Sequence, residues 1–270
     1  MSRPRYLPDA DRLSVLAAAI LLAYALSRFV QLPGWEAGFQ LPGLYVSIPI
    51  NVQTIVTLLV AGMTATGANW LLSDHPRLGQ KNRVEHWLLP ALTAWVIGLP
   101  LYQMPLGPPW WVGFALGAGL LMLVLVAEYI AVDPQDVRQP VAAAGLTAVS
   151  FSLLMALAIS LRFTGQRLSL ILPALTLAVG LVSLRTLNLR LHGRWLFFQA
   201  AVVALVVGQM GAALYYWPLS PVSYGLILLG PAYSLTSLIA GLEEGEPLRQ
   251  AIVEPAVVLG LLAAAALVLR

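Results

Sequence analysis

The residue whose chemistry stands out in this sequence is Glu128, a carboxylic acid inside a long apolar run. Ionisable side chains within membrane-spanning segments are costly, and they often mark proton or ion pathways. Polar side chains from four other apolar segments are predicted to lie at the same depth: Asn69, His86, Arg185, Asn188 and Gln199. Within this cluster, an ion pair between Glu128 and Arg185 would satisfy a buried charge.

This cluster has two functional interpretations and one structural interpretation. Glu128 could be a proton-coupling or ion-coupling carboxylate, or Arg185 could bind an anionic lipid headgroup. Alternatively, the two side chains form a structural ion pair near the membrane interface, and this is the interpretation that the sequence favours.

A second polar set is predicted at the opposite side of the membrane. Arg28 and Arg162 could together bind a phosphate or a carboxylate there, although separate snorkelling of each side chain to the outer headgroups is the simpler alternative. In the eighth apolar segment, Gly230 and Pro231 precede Tyr233. Because proline interrupts helical hydrogen bonding, this site predicts either a kink that lines a cavity or a packing contact.

Several classes of reactive site are excluded by residue type. The chain contains no cysteine, so disulfides, thiolate catalysis and cysteine-ligated metal centres are ruled out. The histidines fall in or beside predicted inner loops, which argues against a haem or metal site within the apolar segments. The sequence therefore identifies no catalytic residue, no metal site and no cofactor, and it leaves enzymatic activity undecided.

The composition is typical of an all-α integral membrane protein. Of the 270 residues, 59% are hydrophobic and only 10% are charged, whereas soluble domains carry about 25% charged residues. No soluble stretch is long enough for a second domain, so we expect one transmembrane domain over residues 1–270. The net charge of +3 indicates contacts with lipid headgroups rather than with nucleic acid.

Nine apolar segments approach the length of about 20 residues that a spanning helix needs. They are Leu13–Val30, Asn51–Leu72, Trp87–Tyr102, Pro109–Ala131, Val141–Leu161, Leu168–Arg190, Trp195–Tyr216, Pro221–Leu242 and Ala251–Leu269. If the last segment lies along the interface, eight remain.

The distribution of basic residues predicts the orientation of these segments. With the N-terminus inside, only four of the fifteen Lys and Arg residues fall on the outer side: Arg28, Arg162, Arg167 and Arg270. This bias predicts a cytoplasmic N-terminus in a cytoplasmic (inner) membrane of prokaryotic type.

Two connecting segments have distinctive sequences. Residues 31–50 contain Gln-Leu-Pro-Gly twice and then an alternating Leu-Tyr-Val-Ser-Ile-Pro-Ile run, which predicts an outer loop or a hairpin. Residues 73–86 are polar and basic, which predicts a cytoplasmic loop in contact with headgroups or solvent.

A short repeated motif suggests internal duplication. Leu-Pro-Ala-Leu-Thr occurs at 89–93 and again at 172–176, and Pro-Ala returns at 255–256. A repeat of three helices would place successive units in inverted orientation, as in many transporters. Chance similarity in a Leu- and Ala-rich chain is the alternative.

Three functional classes follow from these features. The first is a protein that handles or transports a small apolar, lipid-like or anionic molecule. The second is a non-catalytic subunit of a membrane complex, and the third is an intramembrane lipid-modifying enzyme. The expected partners are membrane lipids, together with further copies of the chain or subunits of a membrane complex.

Overall fold

The computed structural model describes residues 8–27, 35–41, 44–50, 52–73, 84–133 and 135–269. Within these ranges the chain forms helices and one short hairpin. The elements are α1 (Ala10–Ser27), β1 (Trp35–Leu41), β2 (Leu44–Ile50), α2 (Val52–Leu72), α3 (Glu85–Gln103), α4 (Pro108–Ala131), α5 (Gln139–Phe163), α6 (Leu168–Arg190), α7 (Phe197–Tyr215), α8 (Pro221–Glu243), α9 (Leu248–Ala251) and α10 (Val253–Val268).

Eight helical segments in the described ranges are long and apolar enough to cross a membrane. They comprise α1, α2, α4 to α8, and the continuous stretch Leu248–Val268 formed by α9 and α10. The sequence predicted nine spans, and all nine segments are helical. The helix outside this group is α3, whose hydropathy is lowered by Glu85, His86 and two internal prolines. The exact number of spans therefore stays a prediction.

The segment 31–50 contains an antiparallel hairpin. In its register, Trp35 pairs with Ile50 and Leu41 pairs with Leu44. The connection at residues 42–43 and the first half of the Gln-Leu-Pro-Gly repeat, at 31–34, lie outside the described residues. Of the two forms that the sequence left open for this segment, the backbone adopts the hairpin.

The chain divides into two compact units, Met1–Leu146 and Thr147–Arg270, with the boundary inside α5. The core of the first unit is built from α1, α2, α3 and α4. Its buried side chains are Leu16, Ile20, Tyr24, Val60, Ala68, Leu71, Ala94, Leu121 and Leu125. The hydroxyl of Tyr24 donates to the carbonyl of Ala94, which ties α1 to the middle of α3.

Small residues allow the helices of each unit to approach closely. A Cβ added to Gly117 of α4 would lie 2.6 Å from Ile97 of α3, and one added to Gly208 of α7 would lie 2.2 Å from Thr176 of α6. Neither separation leaves room for a methyl group, because carbon atoms in contact are about 3.5–4.0 Å apart. Glycine at these positions therefore permits the observed packing.

The second unit is organised around α8, the most buried of its membrane-length helices. Helices α6, α7 and α10 all pack against it. The N-terminus of α8 is capped by Ser220, whose hydroxyl accepts from the amide of Ser223 at 3.1 Å. At the other end, Gly245 has a φ of 86°, and the amide of Glu246 bonds the carbonyl of Gly241 at 3.0 Å. This left-handed glycine terminates the helix and turns the chain toward α9.

We expect Gly117→Ala to lower the free energy of unfolding by about 1–3 kcal/mol, because overpacking forces neighbouring atoms to move. The atom in the way is the Cγ2 of a β-branched isoleucine, which has little rotational freedom. The matched control is Gly119→Ala on the same helix, where the added Cβ meets nothing within 4 Å. Unfolding in a mixed detergent series measures both variants, and equal destabilisation by the two would contradict the packing argument.

Candidate functional site

A buried pair of ionisable side chains joins α3 to α4 in the first unit. The Nδ1 atom of His86 lies 2.7 Å from the Oε2 atom of Glu128. The side chains are only 5% and 1% exposed, respectively. A hydrogen bond of this length between an imidazole and a carboxyl group is short, as expected where one partner is charged.

The local sequence explains how this pair is assembled. The short connection between α3 and α4 makes them antiparallel neighbours, so the first turn of α3 meets the last turns of α4. Helix α3 begins at Glu85, which makes His86 part of the helix rather than of the preceding loop. Pro90, four residues later, has no amide hydrogen to donate back to the carbonyl of His86. Leu89 of α3 and Tyr129 of α4 are also buried.

This arrangement is suited to holding and exchanging a proton. An imidazole nitrogen and a carboxyl oxygen can each hold a proton and can pass it across the hydrogen bond that joins them.

The predicted cluster is divided between the two units. Asn69, His86 and Glu128 belong to the first unit, whereas Arg185, Asn188 and Gln199 belong to the second. The His86–Glu128 contact was not predicted as a pair, although both residues were candidates. Asn69 is half-buried on α2. A bond between Glu128 and Arg185 stays a prediction.

In the second unit, Arg185 and Asn188 lie one turn apart on α6. The Nη1 atom of Arg185 donates to the Oδ1 atom of Asn188 at 2.9 Å. Both residues are buried, at 2% and 3% exposure. Two of the predicted site residues are therefore in direct contact.

A network of ion pairs connects the end of α6 to the end of α8. Arg190 binds Glu244 through two nitrogens, at 3.3 and 3.1 Å, and donates to the hydroxyl of Ser237 at 3.1 Å. The carboxylate of Glu243 accepts from Arg194 at 3.0 Å and from Gln199 at 3.3 Å. Gln199 was predicted near Glu128 and Arg185, but the contact found for its amide group is with Glu243.

Sequence reasoning did not identify this network. The available signal was the Glu243-Glu244 pair at one end of α8, opposite in charge to Arg190 and Arg194 at the end of α6. Two long helices, α7 and α8, separate these ends along the chain, so the end of α6 and the end of α8 can lie side by side. The sequence analysis interprets these basic residues as orientation signals and headgroup contacts.

The region around Gly230 and Pro231 forms the contact between α8 and α10. Helix α8 is continuous through Pro231, and a Cβ on Gly230 would lie 3.0 Å from Leu259. The phenol of Tyr233 donates to Glu254 at 2.5 Å, and the hydroxyl of Ser234 donates to the carbonyl of Pro255 at 2.8 Å. These contacts agree with the packing alternative for this site, and the cavity stays a prediction.

Arg162 is engaged by the carboxyl end of α7. It donates to the carbonyls of Tyr215 at 2.7 Å and Trp217 at 2.9 Å, and its guanidinium lies over the Tyr215 ring. A cation at this position compensates the partial negative charge of the helix terminus. Arg28, the other half of the predicted outer anion site, lies outside the described residues.

In the part of the chain that the structure describes, no group of three or more His, Asp and Glu side chains is placed to hold a metal ion.

Residues 32–269 match the sequence profile of DUF5656, whose description is "Protein of unknown function". The chain belongs to the DUF5656 family. Neither the curated proteins nor the solved structures contain a match to this chain.

We expect Glu128→Ala to destabilise the protein by about 3–5 kcal/mol, since it removes one member of a buried, hydrogen-bonded pair. Glu128→Gln should cost less, because the amide oxygen can still accept a hydrogen bond from His86. Thermal unfolding of the purified protein in detergent measures both variants.

The control is His192→Asn, at an exposed position with a φ of 54°, a conformation that asparagine tolerates. Unchanged stability of Glu128→Ala relative to this control would show that the pair is not a structural element.

A second prediction concerns the cap on α7. Arg162→Gln removes the charge beside two helix-terminal carbonyls, and we expect a loss of about 1–3 kcal/mol. Arg249→Gln in the same unit changes an exposed arginine and should alter stability by less than about 0.5 kcal/mol. Thermal unfolding of both variants checks this prediction. Equal unfolding temperatures for Arg162→Gln and Arg249→Gln would contradict a stabilising role of Arg162 at the end of α7.

Proposed function

We propose that this protein is a multi-pass protein of the cytoplasmic membrane that handles or transports a small apolar, lipid-like or anionic molecule, coupled to protonation of the His86–Glu128 pair. The observation that carries the proposal is the 2.7 Å contact between two almost fully buried titratable side chains. Burying such groups among apolar helices costs free energy, and ionisable residues found there commonly belong to proton or ion pathways.

The chemistry of the pair supports a coupling role over a purely structural role. A structural polar contact could use neutral side chains and avoid the cost of removing charges from water. An imidazole and a carboxyl group instead give a site whose net charge changes with each proton gained or lost. A change of net charge inside an apolar unit alters the balance between conformations, which is what coupling to a second molecule requires.

The proposed topology has nine spans with the N-terminus inside. Helix α3 has 19 residues, a length of about 28 Å at 1.5 Å per residue, close to the thickness of the bilayer core. The lower hydropathy of α3 fits a helix that packs against both α2 and α4. Its polar side chains His86 and Thr93 are buried. In this topology, His86 and Glu128 lie near the cytoplasmic side.

The local geometry of the repeated motif supports an inverted duplication as part of this proposal. Pro90 in α3 and Pro173 in α6 stand at the same distance from the start of their helices. In both copies the threonine hydroxyl donates to the leucine carbonyl four residues earlier: Thr93 to Leu89 at 2.7 Å and Thr176 to Leu172 at 2.8 Å. Inverted repeats are a frequent architecture of secondary transporters.

A second candidate function is a subunit of a membrane complex. This candidate is supported by the exposure of the segment Leu248–Val268. Only 17% of this segment is buried, the smallest share among the eight membrane-length segments of the described residues. Apolar side chains such as Val257, Leu261 and Leu267 are exposed along it. Lipid would cover this face in an isolated protein, and a neighbouring subunit would cover it in a complex.

The proton site is tested by infrared difference spectroscopy of the protein in lipid, recorded across about pH 5 to 8, where histidine ordinarily titrates. We expect a pH-dependent carboxyl band that disappears in Glu128→Gln and shifts its midpoint in His86→Gln. Glu85→Gln, which removes a carboxylate from the adjacent residue, is the matched control and should keep the band. A wild-type spectrum without any Glu128-dependent band would refute proton exchange at this pair.

Native mass spectrometry of the gently purified protein separates the two functions. A small molecule whose occupancy changes with pH in the wild type, and not in Glu128→Gln, supports coupled handling. Stoichiometric protein subunits without a bound small molecule would instead support the second candidate.

A further inference from the structure

A carboxyl group lies on the exposed side of the last long helical segment. Glu254 follows Leu248, the first residue of this segment, by about 9 Å along the helix axis. Glu254 is exposed, and so are Val257 at 55% and Leu261 at 65%. Residues three and seven positions apart share one face of a helix. Glu254 therefore shares an exposed face of α10 with large apolar side chains.

The hydrogen-bond partner of this carboxyl group is a phenol. The hydroxyl of Tyr233 on α8 donates to the Oε1 atom of Glu254 at 2.5 Å. In the same unit, by contrast, the carboxylate of Glu244 binds the guanidinium of Arg190. The contact at Glu254 thus supplies a neutral donor, whereas the contact at Glu244 supplies a compensating charge.

These surroundings suit a carboxyl group that gains and loses a proton in place. An ionised carboxylate in contact with hydrocarbon costs free energy unless an opposite charge compensates it. A phenol hydroxyl donates to an ionised carboxylate, and its oxygen can accept from a protonated carboxyl group. Tyr233 can therefore hold Glu254 in either protonation state without a rearrangement of the helices.

Polar groups of α8 and α6 link this contact to the charged end of α8. Ser237, one turn beyond Tyr233 on α8, lies beside the phenol and accepts from Arg190 at 3.1 Å. Besides Glu254, the charge that acts on Tyr233 is that of Arg190, which in turn binds Glu244. The contact between Tyr233 and Glu254 thus lies between the exposed face of α10 and this ion pair.

We propose that Glu254 and Tyr233 form a protonation site in the second unit, where the carboxyl group binds and releases a proton at the lipid-facing surface of α10. This site is additional to the one proposed for the first unit. It rests on the membrane location given in the proposed function, and it does not rest on proton exchange at the His86–Glu128 pair.

The test uses two carbodiimides on the full-length protein in lipid nanodiscs. Both reagents add the O–H bond of a protonated carboxyl group across a C=N bond, and the adduct rearranges to a stable N-acylurea with nothing released. Dicyclohexylcarbodiimide is apolar and reaches carboxyl groups from the lipid, whereas a cationic, water-soluble carbodiimide reaches them from water. We expect the apolar reagent alone to modify Glu254, with a yield that falls as the pH rises. Peptide mass spectrometry locates the adduct.

The water-soluble reagent has an internal reference in the same samples. Glu246 is exposed and lies in the connection between α8 and α9, so we expect the water-soluble carbodiimide to modify it. This adduct shows that the reagent is active and that the protein is accessible from water.

The role of the phenol is tested with Tyr233→Phe, which keeps the ring and removes the hydroxyl. Hydrogen bonds to ionised acceptors are stronger than those to neutral acceptors. Loss of the hydroxyl should therefore extend the labelling of Glu254 to higher pH. The matched control is Tyr216→Phe, which removes the hydroxyl of a tyrosine that is 78% exposed beyond the end of α7 and should label like the wild type.

The proposal is overturned if the water-soluble reagent modifies Glu254 as readily as Glu246, because the carboxyl group would then face water. It is also overturned if neither reagent modifies Glu254, or if Tyr233→Phe labels like the wild type at every pH. Apolar labelling of Glu254 without a Glu128-dependent infrared band would refute proton exchange at the His86–Glu128 pair and leave this site standing. The reverse combination would refute this site alone.

Discussion

The dominant constraint on this protein is that polar and charged groups among apolar helices must be compensated by close partners. In a medium without water, an unpaired backbone or side-chain group costs several kcal/mol. The backbone meets this constraint by forming helices. The side chains meet it locally: His86 with Glu128, Arg190 with Glu244, and Arg162 with the carbonyls at the end of α7. Each contact also holds two helices together.

Close helix packing makes these contacts possible. Glycine at Gly117 and Gly208 lets neighbouring helices approach to distances that a methyl group would prevent. Within the first unit, the approach of α3 to α4 brings an imidazole at the start of one helix to a carboxyl group near the end of the other. Because buried packing is dense, such polar contacts are held in one geometry. The contact between His86 and Glu128 is therefore held in place by the packing of α3 against α4.

Each unit contains a buried polar contact between candidate residues. In the first unit, the Nδ1 atom of His86 lies 2.7 Å from the Oε2 atom of Glu128. In the second unit, Arg185 donates to the amide oxygen of Asn188 at 2.9 Å. Hydrogen bonds of this kind offset the cost of removing polar groups from water. The description of the DUF5656 family names no reaction or ligand.

The sequence by itself determined the helical class, the approximate bounds of all nine long segments, and most residues of the candidate sites. These features follow from hydropathy and residue type, which act locally along the chain. The alternation at 44–50 left both a hairpin and an ordered loop open, and the backbone adopts the hairpin. Only the tertiary structure decided that His86 is a partner of Glu128, that Gln199 binds Glu243, and that Gly230 packs against Leu259. The bounds of an apolar segment place a residue at a depth along the helix and leave its rotation about the helix axis open. The partner of a buried charge depends on that rotation and on the packing of side chains distant in sequence.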